Sequence, residues 1–246
     1  MPSESGDTKL LGNFGKLIEA VSLDSNYNPA NPALPVPALN TRKTGGLAAV
    51  GDVGAKEAAN KAVVNDRQYL FEGVPGVITR SGNMLKASGA SQKIIDDAKT
   101  VARKITGQRK TPKVKDDQNT PQNEAAKTHS VSQQSYYSIV GNVEDYIAIV
   151  ATVSTYAPNE ADLTIAGLNA LVADLKAKND AVDAAFAALS VARGVRDQLL
   201  YTNDDCIVNI ALLVKAYVRA AFGPDSQLFK SLKGLQFPRQ GKKPKG

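Results

Sequence analysis

The sequence contains very few of the residues on which enzymes and metalloproteins rely. Among 246 residues it has no tryptophan, one cysteine and one histidine, and aromatic residues make up 6% of the chain. One cysteine excludes an intramolecular disulfide, and one histidine excludes sites that need several imidazoles. The phosphate-binding patterns GxxxxGK[ST] and GxGxxG are also absent from the sequence. We therefore expect no enzymatic activity, no cofactor and no metal.

The lone histidine and the lone cysteine are expected to have no chemical role. His129 ends a polar segment, and an exposed loop residue is the simplest interpretation. Cys206 lies near a predicted helix start, where a helix dipole can lower a thiol pKa. Its apolar neighbours Ile207 and Val208 favour a buried, small hydrophobic side chain instead.

Long hydrophobic runs are missing as well. No stretch reaches the ~18 apolar residues that a membrane span needs, so no span is predicted. The amino-terminal sequence MPSESGDTK lacks a basic segment followed by an apolar run. It therefore does not resemble a secretory signal, and a cytoplasmic location is predicted.

The residues that are present favour helices. Hydrophobic residues make up 43% of the chain and charged residues 22%, which is ordinary for a globular protein. Alanine-rich stretches such as 184–189 favour closely packed helices over a β-rich core. These features predict an all-α fold.

An internal repeat is the most informative feature of the sequence. Shifting the chain by 129 positions without a gap aligns residues 12–87 with residues 141–216 and gives 20 identities over 76 positions. The identical pairs include Tyr27 with Tyr156, and Arg67 with Arg196. Chance would give about a quarter of that number, so the pattern indicates an internal duplication of one helical unit.

Apolar residues of the second copy recur at helical spacing. The first predicted helix has its stripe at Ile139, Val143, Tyr146, Val150 and Val153. A long second helix has its stripe at Leu168, Val172, Leu175, Asn179, Val182, Phe186, Leu189, Arg193, Arg196 and Leu200. A third helix, ending at Gly223, and a short fourth helix should complete an antiparallel bundle.

The repeat predicts two tandem, internally duplicated antiparallel bundles with three to four helices each and one long central helix per module. We place module 1 at 8–106, a flexible basic linker at 107–128, module 2 at 129–237 and a disordered basic tail at 238–246. In the first copy, Thr44-Gly45-Gly46, Gly51 and Gly54 predict a long helix that is frayed, kinked or started late.

The coiled-coil-like seam of the long helix contains polar residues. The seam is expected to form the core of its own module, or in part to contact another subunit, because polar seam groups often set register and partner choice. A shared structural ion pair or carbonyl contact is expected for the recurring arginines. Asp66 and Asp197 are not expected to be their partners, because adjacent helical residues do not face each other. The candidate assembly contacts are Arg67, Arg196, Asn179 and Arg193.

Basic residues concentrate outside the predicted bundles. Twelve of the 30 basic residues lie in or near the linker and at the carboxyl end, whereas the 24 acidic residues of the chain lie mostly in the predicted bundles. These extensions could be solubilising tails, bind nucleic acid through phosphate contacts, or lie on the acidic bodies of neighbouring copies. The candidate basic contacts are Arg109, Lys110, Lys113, Lys115, Arg239, Lys242, Lys243 and Lys245.

The sequence therefore predicts a non-enzymatic structural or assembly protein. Two related modules on one chain favour self-association into a homo-oligomer or filament. A nucleic-acid-associated protein that acts through the basic extensions is one alternative, although no recognised nucleic-acid-binding motif is present. A helical bundle that holds a small apolar ligand is the other alternative.

Overall fold

The structure is a computed structural model of the chain, and it describes residues 6–108 and 134–238. Within these residues all regular secondary structure is helical, which confirms the predicted all-α class. His129 lies outside the described residues, as do the linker except Gly107 and Gln108 and the tail except Pro238.

Seven α-helices follow one another along the described chain. They are α1 (Gly6–Ser22), α2 (Val36–Ala87), α3 (Gln92–Thr106), α4 (Tyr136–Val150), α5 (Ile165–Asp197), α6 (Ile207–Phe222) and α7 (Gln227–Lys233). A 3-10 turn, Ala161–Leu163, precedes α5, and a π-helical turn, Gln198–Thr202, continues it. The first residues of α2 and α5 are 129 positions apart, which is the offset of the sequence repeat.

Two compact units are present, and each contains helices from both sequence copies. Unit 1 comprises the described residues of Met1–Asn60 and Ala185–Gly246, and unit 2 comprises those of Lys61–Ala184. The boundary between the units therefore falls inside α2 and inside α5. The structure does not confirm two tandem bundles. The module bounds 8–106 and 129–237 describe the sequence copies and stay a prediction.

Helix length explains why the units differ from the copies. α2 has 52 residues and α1 has 17. At ~1.5 Å of rise per residue, α1 can cover about a third of α2. The rest of α2 must pack against other helices, and in unit 2 its last turns share a core with α3 and α4. A long helix therefore contributes to two cores, which the repeat alone does not indicate.

Equivalent positions of the two copies are buried in the two cores. The buried face of α1 in unit 1 matches the buried face of α4 in unit 2 at the 129-residue offset. The matched pairs are Leu11 with Val140, Phe14 with Val143, Leu17 with Tyr146, Ile18 with Ile147, and Val21 with Val150. The helical periodicity of the second copy is thus confirmed for this helix.

The turn after each of these helices is held by an equivalent tyrosine. The Tyr27 hydroxyl donates a hydrogen bond to the Leu34 carbonyl (2.9 Å), and the Tyr156 hydroxyl donates to the Leu163 carbonyl (2.7 Å). Burial raises the pKa of Tyr27 to about 12, with a smaller contribution from Tyr217. The two tyrosines therefore close the same turn in each copy.

Two expectations for the long helices are wrong. α2 begins at Val36 and runs without a break through the glycines and Pro75, so it neither frays nor starts late. Gly46 is accommodated because it lies at a close helix contact, where an added Cβ would be 2.8 Å from side-chain atoms of Leu11 and Ile207. Phe186, expected in the seam, is 64% exposed, because the buried face of α5 passes from Val182 to Leu189, as predicted, and then to Ala192 in place of Arg193.

Cys206 is buried, as its apolar neighbours predicted. It is the residue that immediately precedes α6, and its side chain makes no capping hydrogen bond. A thiol buried in the unit 1 core is an apolar packing group.

Candidate functional site

The four candidate seam residues are divided between the two units. Arg193 and Arg196 belong to unit 1, whereas Arg67 and Asn179 belong to unit 2. Arg193 is exposed and pairs with Glu57 at 2.7 Å, which is a surface ion pair of small energetic value. The other three side chains are partly or wholly buried.

Arg196 lies in a charged cluster beside the π-helical turn. Its guanidinium is 3.3 Å from the Asp7 carboxylate and 2.7 Å from that of Asp197. Tyr201 donates a hydrogen bond to the other Asp7 oxygen (2.5 Å). Burial raises the pKa of Tyr201, and this hydrogen bond raises it further. Because a carboxylate accepts both contacts, Asp7 fixes the start of α1 against the end of α5.

The expectation that Asp197 would not pair with its neighbour is wrong. The long arginine side chain folds back, so that Nε and Nη2 of Arg196 both donate to Asp197 Oδ1, at 3.0 and 2.7 Å. Asp66, in contrast, pairs with Lys178 at 3.0 Å rather than with its neighbour Arg67.

Arg67 has a different environment from its repeat counterpart. Its guanidinium carbon lies 4.0 Å from the ring centre of Tyr136, and Phe71 contacts the same ring edge-on at 4.7 Å. Within the described residues Arg67 forms no ion pair, so the two copies do not share one there, and the alternative of a shared carbonyl contact stays a prediction. Tyr136 is nevertheless the counterpart of Asp7 at the 129-residue offset. Each recurring arginine therefore contacts the start of the first helix of the other copy.

Asn179 is the most unusual polar residue of the seam. Its side chain is 1% exposed, and neither its amide nitrogen nor its amide oxygen has a hydrogen-bond partner in the part of the chain that the structure describes. A buried polar group without a partner costs about 1–3 kcal/mol. The equivalent residue of the first copy is Val50, which is apolar.

Replacing Asn179 by valine should therefore raise the free energy of unfolding by about 1–3 kcal/mol, because the apolar side chain removes two unpaired polar atoms. Chemical denaturation monitored by circular dichroism measures this change. Asn13→Val is the matched control, because the Asn13 amide donates to the Gln236 carbonyl at 3.0 Å. The control should lose stability. A loss in Asn179→Val as well would show that the buried amide is satisfied.

Two exposed apolar stripes lie on helices of unit 1. On α5 and its π-helical turn, Ala187, Val191, Val195 and Leu199 recur every fourth residue, and all four are exposed. On α6, the exposed stripe comprises Leu212, Leu213, Ala216 and Ala220. We call these eight residues the outer faces. Val191 is 67% exposed and Leu213 is 46% exposed.

The sequence contains two signals for the outer faces. The four-residue spacing from Ala187 to Leu199 is a second apolar stripe beside the predicted seam. The apolar composition of α6 around nearly its whole circumference was the other signal.

All eight candidate basic contacts lie outside the described residues. In residues 6–108 and 134–238, no group of three or more metal-binding side chains comes together. The helices of these same ranges include none that is both long and apolar enough to cross a membrane.

Comparison with known proteins gave no match to a family model, to a curated protein or to a solved structure.

Proposed function

We propose that the protein is a non-enzymatic structural protein that self-associates through the outer faces of unit 1. The observation that supports this proposal is the exposure of large apolar side chains at regular spacing on α5 and on α6. An isolated exposed leucine or valine is ordinary, but regular exposed stripes on two helices are typical of a surface that a partner covers.

The composition of α6 adds a second line of support. Apart from Asn209, Lys215, Tyr217 and Arg219, the helix Ile207–Phe222 consists of apolar residues. A helix that is apolar around most of its circumference is normally buried on all sides. In this chain one side packs in the unit 1 core, and the side with Leu212 and Leu213 is exposed.

A second copy of the chain is the partner that the outer faces fit best. None of the eight residues is charged, so two copies can bring the same faces together without like-charge repulsion, although the chain has a net charge of +6. When a surface contacts the same surface of a second copy about a twofold axis, each of its residues is buried on both copies. Each fully buried valine or leucine contributes roughly 1.5–3 kcal/mol.

The candidate seam residues have another role in this proposal. Arg196 and Asn179 are engaged or buried within their own units, so they shape the folded chain from which the outer faces project. Arg193 is the exposed residue of the four. Its guanidinium pairs with Glu57 of the same unit at 2.7 Å.

Replacing Val191 by glutamate should shift the protein toward the monomer, because association would then bury an unpaired carboxylate. We expect a dissociation constant at least about tenfold higher, measured by sedimentation velocity over a concentration series. Ser190→Glu is the matched control, since it places the same charge at an exposed neighbouring position outside the stripe. Equal effects of the two substitutions, or none from Val191→Glu, would contradict the proposed interface.

A further inference from the structure

Unit 1 contains an open groove between α1 and the first turns of α2. Its volume is about 680 Å³, which is in the range of small-molecule sites. The partly buried Val36 and Val50 and the half-exposed Leu47 contribute the accessible apolar surface of its lining, whereas Leu11 and Ile18 are only 2% and 5% exposed. The groove is thus an apolar surface that remains open within one compact unit.

Two lysines line this groove. Lys16 projects from α1 and Lys43 from α2, and neither forms an ion pair within residues 6–108 and 134–238. The Lys43 ammonium lies 3.0 Å from the position that a Cβ on Gly15 would occupy, so it reaches across the backbone of α1. Glu19 is the one acidic residue of the lining. The groove therefore carries a net positive charge beside an apolar surface.

The second copy shows what the groove lacks. At the 129-residue offset, Gly15 and Leu47 correspond to Glu144 and Lys176. In unit 2 these two side chains form an ion pair, with 2.6 Å between Lys176 Nζ and Glu144 Oε1, that joins α4 to α5. In unit 1 the equivalent positions carry no side chain and an apolar side chain, so no ion pair spans the groove there.

We propose that this groove binds an aliphatic carboxylate, with the carboxylate at Lys16 and Lys43 and the hydrocarbon chain along Val36, Leu47 and Val50. A carboxylate supplies the negative charge that Glu144 supplies in unit 2, and charge-assisted hydrogen bonds to ammonium groups are the strong ones. The hydrocarbon chain covers apolar groove surface, including that of Leu47, that water otherwise contacts.

Isothermal titration calorimetry of the full chain with dodecanoate tests this site. We expect saturable binding at one site per chain. Dodecanol and dodecyltrimethylammonium, with the same hydrocarbon chain, should bind at least about tenfold more weakly, because neither offers an anion to the lysines. Binding of either compound as tightly as dodecanoate, or no binding of dodecanoate, would overturn the proposal.

Three variants locate the binding. Lys43→Gln should weaken dodecanoate binding by about tenfold, since one charged contact is removed. The double variant Gly15→Glu/Leu47→Lys copies the ion pair of unit 2 and should abolish binding while circular dichroism shows unchanged helix content. Lys9→Gln, on the same helix but outside the groove, should leave affinity unchanged. If Lys9→Gln weakens binding as much as Lys43→Gln, the site lies elsewhere.

Discussion

Replacing Gly167 by alanine is expected to lower the free energy of unfolding by about 3 kcal/mol, the largest effect among the substitutions considered for this chain. An added Cβ would lie 2.1 Å from the Ala161 carbonyl oxygen and 3.0 Å from the Asp162 Cα. Both atoms belong to the backbone, so rotation of a side chain cannot relieve the overlap.

The turn that Gly167 touches is fixed by several contacts. The Thr164 hydroxyl donates to the Ala161 carbonyl (2.8 Å) and accepts from the Gly167 backbone N–H (2.9 Å), which caps α5. Asp162 in the same turn pairs with Arg80 at 2.6 Å. Moving the turn away from a new methyl group would therefore break the cap and disturb this ion pair.

Gly194→Ala is the matched control for this prediction. Gly194 lies on the same helix, is exposed and has no atom within 4 Å of an added Cβ. Alanine should there stabilise the helix by roughly 0.5–1 kcal/mol, because it lowers the entropy cost of ordering the backbone. Urea denaturation of both variants gives the two changes. If the Gly167→Ala and Gly194→Ala variants were equally stable, the turn before α5 could move away from the new methyl group at little cost in free energy.

Replacing Tyr156 by phenylalanine is expected to cost about 2–3 kcal/mol of stability. Three hydroxyl groups form a chain inside unit 2: Tyr146 donates to Ser81 (3.1 Å), and Ser81 and Tyr156 are 2.8 Å apart. Because Tyr156 gives its proton to the Leu163 carbonyl, Ser81 must donate to Tyr156. Removing this hydroxyl leaves a buried donor and a buried acceptor without partners.

The first copy supplies the control for this substitution. Tyr27 makes the same contact to Leu34, but Leu17 and Ile210 occupy the positions equivalent to Tyr146 and Ser81. Tyr27→Phe therefore removes a single, partly buried hydrogen bond and should cost about 1 kcal/mol. The difference between the stability losses of the two variants, measured by urea denaturation, gives the contribution of the three linked hydroxyl groups. If Tyr156→Phe lowers the stability no more than Tyr27→Phe does, the hydrogen bonds from Ser81 and Tyr146 contribute nothing to stability.

Much of the helical structure follows from the sequence. The periodic stripe from Ile139 to Val153 predicts α4, which ends at Val150, and Gly223 marks the end of α6. The tyrosine turns could be recognised as equivalent because Tyr27 and Tyr156 are 129 residues apart. These features depend on contacts between residues that are near in sequence, and helical periodicity reports such contacts directly.

Other features depend on contacts that a repeat cannot reveal. The duplication shows that two segments resemble each other, but it does not show that Arg196 contacts Asp7 of the other copy. The close contact at Gly46 in α2 involves Leu11 and Ile207, which approach it from distant parts of the chain. Gly167 needs to be glycine because of the Ala161 carbonyl, whereas Ala38 occupies the equivalent position of the first copy.

The exposed face of α5, part of the proposed assembly surface, could not be predicted from sequence periodicity either. Two apolar stripes run along this helix, and periodicity alone does not tell which one faces the core. The structure buries the stripe with Leu189 and leaves the one with Val191 exposed. The proposal of self-association depends on this choice, because the exposed stripe is the surface that a second copy would cover.

The mass of the unmodified chain in solution, measured by light scattering from micromolar to millimolar concentrations, tests self-association most directly. We expect the weight-average mass to rise with concentration to at least twice that of one chain, since the outer faces are then covered by second copies. A mass that stays at that of a single chain over the whole range would contradict the proposed function.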